Sequence, residues 1–246
     1  MQLALETLGN SPETTHWKPS SFSDLVYLAH STTVDLSLFA LSDLHYLLVG
    51  ALQANMVVDE ALFLFFTILT GENTNISPEI ATSLCTVFTA LGSTHLDSTI
   101  RQLNLRLLSL TLSKLPPPPR LEILLKLVTD EDFPQIRGPA VGLVKEAVLE
   151  ALALPPDDAP RNPFASPELL RIFGGVLFRP NPPQFFSEKK TREELAQSLE
   201  LLRIADCLSF YYVLLQRDRE NMVRLYGGLF FSYLTLRPKD GSKNQR

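Results

Sequence analysis

Four histidines, two cysteines and two glycine pairs are the residues of this chain whose types most often carry chemistry, and their spacing limits what they can do. His16, His30, His45 and His95 are scattered, and no two sit four residues apart, the spacing that brings two imidazoles onto one helix face for a metal ion. Cys85 and Cys207 have no CxxC partner, which leaves a single disulfide or two buried thiols in a reducing compartment. The apolar neighbours Leu84, Val87 and Phe88 favour burial for Cys85, and Asp206 beside Cys207 disfavours a thiolate there. Gly174-Gly175 and Gly227-Gly228 lack the spaced glycines and Lys-Ser/Thr of a nucleotide loop, so both pairs read as places of close helix packing. A Ser/His/acid group assembles only in space, but no nucleophile here has a recognisable local setting. The expectation is therefore no catalytic residue, no cofactor-binding residue and no metal ligand: a protein that is not an enzyme.

The elements that would position any site follow from composition and rhythm. With 45% hydrophobic and 20% charged residues the chain is of globular type, and 246 residues suffice for one large domain or a short helical repeat array. A net charge of −5 argues against nucleic acid as the main ligand, since phosphate binding needs clustered Lys and Arg. The apolar run from Leu44 to Leu69 is interrupted by Gln53, Asn55, Asp59 and Glu60, so no membrane span is expected. No basic, apolar secretory signal follows Met1, and the expected location is cytoplasm or nucleus.

Apolar residues recur every three to four positions, which predicts an all-α fold of about nine stacked antiparallel helices, either a HEAT/armadillo-like α-solenoid or an irregular bundle. The organisation predicted is a poorly defined segment 1–40, a HEAT-like stack 41–154, a proline-rich loop 155–167, C-terminal helices 168–238 and a disordered tail 239–246. Ser42 is expected to cap the first firm helix, with a second over Asp59 to Leu69 ending in a left-handed Gly71. Ser77-Pro78-Glu79 starts a third that stops at Gly92. The fourth, Leu96 to Leu115, carries two apolar stripes and so belongs between neighbours. Pro116 to Pro119 read as a connector and helix start, in preference to a polyproline ligand. One helix is expected over Phe133 to Leu154, one from Ser166-Pro167-Glu168 to Phe178, one unbroken over Thr191 to Arg217, and a last over Asn221 to Leu236. In the Thr191 helix, Leu201, Ile204, Leu208, Tyr211 and Leu215 fall at coiled-coil-like spacing.

One stretch is locally specific. In the segment Asp132 to Lys145, an acid, an early proline, a β-branched residue followed by arginine, and then small and aliphatic residues match the second helix of a HEAT unit. Asp132 is placed to cap, Pro134 to take the first turn, Ala140 to allow close approach, and Arg137 to reach an acid or carbonyl in an adjoining unit. Ile136, Gly138, Leu143 and Lys145 complete the pattern. With the upstream LEILLKLV and the downstream proline-rich loop, FPQIRGPAVGLVKE resembles the glomulin/YAP-binding-protein family over roughly residues 116–154. Members are typically longer, so the resemblance implies a C-terminal portion or a shortened relative.

That resemblance implies a non-catalytic adaptor whose partner is a stress-response transcription factor, a kinetochore component or the RING subunit of a cullin–RING ubiquitin ligase. Within these, it points first to the fungal oxidative-stress and kinetochore branch. No nucleic acid, membrane or small-molecule substrate is expected. A thiol-based redox relay through Cys85 or Cys207 is the competing reading, and a structural end-piece of a longer solenoid a third. The candidate partner surface is aromatic and basic: Tyr211, Tyr212, Arg219, Arg224 and Tyr226. The aromatic set Phe210, Tyr211, Tyr212, Phe230, Phe231 and Tyr233 is expected as core shared by the last two helices, and any of it left exposed is the first candidate for such a surface. The cluster Glu188 to Glu194 reads as a solvated helix start.

Overall fold

The computed structural model describes residues 18–223, apart from positions 33, 37, 38, 72, 73, 75, 156 and 157. Every regular element among them is helical: α1 (Phe22–His30), α2 (Leu41–Gln53), α3 (Val58–Thr70), α4 (Pro78–Thr94), α5 (Ser98–Ser113), α6 (Pro117–Val128), α7 (Arg137–Leu152), α8 (Glu168–Leu177), α9 (Arg192–Ala196) and α10 (Leu199–Arg217). Short 3₁₀ turns occupy Pro134–Ile136, Ala159–Arg161 and Pro163–Ala165. The all-α expectation is borne out. The helix expected over Asn221 to Leu236 lies almost wholly outside the described residues.

Helix starts follow local chemistry closely. Ser77 accepts from the Ile80 amide with Pro78 in the first turn, and Pro116 to Pro119 do open α6. Asp97 caps α5 through the Thr99 amide at 2.7 Å. Four expectations need correction. Ser42 lies inside α2, whose cap position is Ala40 without a side-chain bond. Gly71 ends α3 with φ −59°, not left-handed. Gly92 does not stop α4, which continues to Thr94. The Thr191 helix breaks at Gln197, and Ser198 recaps α10 by accepting from the Leu201 amide. Helix α1 falls in the segment read as poorly defined; a reciprocal capping box between Ser21 and Asp24 starts it.

The chain divides into two compact units, 1–76 and 77–246. In the first, α3 packs against both α1 and α2, burying Leu25, Leu28, Leu44, Leu48, Phe65 and Leu69. Its charge is one-sided: Lys18 is the only Lys or Arg before Arg101. The acids of α1 to α3 cluster in the helices' first turns, at Asp24, Asp43, Asp59 and Glu60, where the dipole favours them.

In the second unit α4 and α5 form the tightest pair, and α7 is the hub, packing against α6, α10 and the 163–165 turn while touching α5 only sparsely. Buried Arg120 of α6 pairs with Glu150 of α7 and lies 5.9 Å from the Phe164 ring centroid, joining three elements. Helix α10 ends where Asp218, itself buried, accepts the amides of Met222 and Val223 at 2.7 and 2.9 Å.

Candidate functional site

The segment Asp132 to Lys145 forms the start and middle of the hub helix. Asp130, not Asp132, caps its entry, accepting the Phe133 amide at 2.7 Å. Pro134 opens the 3₁₀ turn that leads into α7, and Arg137 donates from Nε to the Asp130 carbonyl. Arg137 thus clamps its own entry loop, a correction to the contact expected with an adjoining unit. The apolar rhythm of this helix predicts Ile136, Ala140, Leu143, Ala147, Ala151 and Leu154 in the core; all are buried except Leu154, past the helix end, which is 41% exposed.

The opposite face of α7 is low where Gly138 and Gly142 carry no side chain, one turn before Lys145 and Glu146. Pro139 is exposed, and a Cβ added at Gly142 would meet nothing within 4 Å. On one side of that face α5 stands off, leaving a trough of about 700 Å³. Its apolar walls are Leu103, Leu105, Leu110 and Leu143; Gln102, Arg106, Ser109 and Glu146 add polar groups, with the Ser109 hydroxyl donating to Glu146 at 2.9 Å. On the other side a cleft of about 250 Å³ separates α7 from α10, between Lys145 and Asp206, Ser209 and Phe210. Pro139 and Gly142 line both cavities, so the trough and the cleft meet across α7 there.

Electrostatics in the cleft are mixed. Burial pushes the Asp206 carboxyl above its ordinary value, and Lys145 works against that shift. The Asp206 Oδ2 lies 3.0 Å from where a Cβ on Gly138 would stand, so Gly138 makes room for this carboxylate. A smaller hollow of about 160 Å³ lies by Pro134, Arg137, Leu199 and Glu200.

Arg203, 3% exposed, is heavily bonded. It donates to both Glu200 oxygens at 2.8 and 2.6 Å, to the Val176 and Leu177 carbonyls at 3.2 Å each, and to the Arg179 carbonyl at 2.8 Å. Burial alone would lower its pKa, but the Glu200 hydrogen bonds together with the charges of Cys207 and Glu200 outweigh it and the net shift is upward. Arg203 therefore satisfies the loose carbonyls at the end of α8 and welds α8 to α10.

Both cysteines are free and buried. Burial pushes the Cys85 thiol up to about 12. At Cys207 burial again dominates, Arg203 opposes it, Asp206 and Glu200 add to it, and the thiol sits at about 11. Among the described residues no three His, Cys, Asp or Glu side chains gather as a metal site would require. No described helix is long and apolar enough to cross a membrane. Gly175 corrects its assignment to close packing, because an added Cβ there would meet nothing within 4 Å.

The aromatic and basic surface expected at the end of the chain is only partly gathered. Phe210 is buried, Tyr211 is half-buried with its ring edge-on to Phe178 at 6.0 Å, and Tyr212 is 60% exposed. Arg219 is exposed; Arg224, Tyr226, Phe230, Phe231, Tyr233 and Gly227-Gly228 lie outside the described residues. In the Glu188 to Glu194 cluster, Glu194 and Thr191 form a capping box, as a solvated helix start should. The sequence reading missed the trough walls on α5 and the pairing of Asp206 with Gly138. The available signal was the exposed-face spacing of Gly138 and Gly142, one helical turn apart.

No curated protein and no solved structure matches the chain. The family model Kinetochor_Ybp2, described as the uncharacterised protein family YAP/Alf4/glomulin, matches residues 3–231. Almost the whole sequence is covered, well beyond the stretch that first carried the likeness, and the chain belongs to the YAP/Alf4/glomulin family.

Proposed function

We propose that the chain is a non-catalytic, HEAT-like helical adaptor that holds an apolar segment of a partner protein in the trough beside α7. The observation behind this is the open space over Gly142 beside Pro139, flanked by apolar walls and hydrogen-bonding rims. A glycine on a helix surface lets a second backbone approach closely there, and a concave apolar floor with a few polar groups is the usual form of a recognition site. In this reading the partner is a stress-response transcription factor or a kinetochore component, met in the cytoplasm or nucleus, and the family's description supports the kinetochore component. The RING subunit of a cullin–RING ligase is the alternative partner. A thiol relay is less well supported, since both thiols are buried and held protonated.

The test is affinity capture from lysate with mass spectrometry, run in parallel on the native chain and on Gly142→Phe. The variant fills the trough where the structure has open space. Partners recovered by the native chain should be lost from the variant while its helical circular dichroism is unchanged. Equal recovery by both would rule the trough out as the contact, and direct titration with an isolated RING subunit separates the two partner classes.

A further inference from the structure

We draw no further inference here: the strongest candidate, the outer apolar face of α10 on which Leu208 is 61% and Tyr212 60% exposed, carries nothing because nothing in the structure shows what covers it.

Discussion

Replacing Gly142 by alanine should make the second unit more stable, although Gly142 lies in the most specific stretch of the sequence. The position is in the interior of α7, and the added methyl would meet nothing within 4 Å. No packing penalty therefore opposes the gain in helix propensity, which for glycine to alanine is about 0.8–1 kcal/mol. For a unit of this size, 1 kcal/mol corresponds to roughly 2–4 °C in Tm. Urea denaturation followed by circular dichroism at 222 nm should show the midpoint rising with an unchanged slope. Gly138→Ala is the internal contrast, because its methyl meets Asp206 Oδ2 at 3.0 Å and the carboxylate must swing outward. Its gain should be smaller than that of Gly142→Ala. A destabilised Gly142→Ala would refute the reasoning, since it would mean that α7 has a neighbour at this face in solution. A natural sequence that leaves such a gain unused at an open position is consistent with a site kept bare for something else to touch.

Two further outcomes follow from the buried polar groups. Arg203→Met should cost about 3–5 kcal/mol in denaturant unfolding, because Glu200, with 10% of its side chain exposed, loses its partner and the end of α8 loses its capping donors; a loss below about 1 kcal/mol would mean that the cluster contributes little net stability. Neither thiol should react with a maleimide at pH 7 until denaturant is added, and stability should fall above about pH 9. There the unfolded thiols ionise near their ordinary 9.0 while the folded ones hold their protons to about 12 and 11. Replacing both cysteines by alanine should flatten that alkaline decline, and an unchanged slope would assign it to other groups.

What could be read from the sequence was whatever is written within a few residues. Ser77-Pro78-Glu79 and the proline run before Arg120 announced their helices because caps and fixed φ angles act locally. The Ser21/Asp24 box is equally local, but the apolar rhythm on either side of α1 is too short to mark a helix there. The break at Ser198 was hidden for the opposite reason: Leu195, Leu199 and Leu202 carry an apolar spacing straight across it. Periodicity showed that α10 has apolar stripes, but not that the one through Leu208 faces outward, because that depends on where α7 passes. The trough was illegible for the same reason. It exists because α5 leans toward α4 and away from the ridge of Pro139 and Gly142, a matter of helix placement that no short motif encodes.

The missing cations between Lys18 and Arg101 have a practical corollary. Trypsin finds no cleavage site from α1 through α4, so a digest returns that entire span as one long peptide. Among the side chains of the first unit, Lys18, 80% exposed, offers the one amine to an amine-reactive cross-linker. Conjugation to lysine, ubiquitin included, has no acceptor on α1, α2 or α3, and any such mark on this family member must fall elsewhere along the chain.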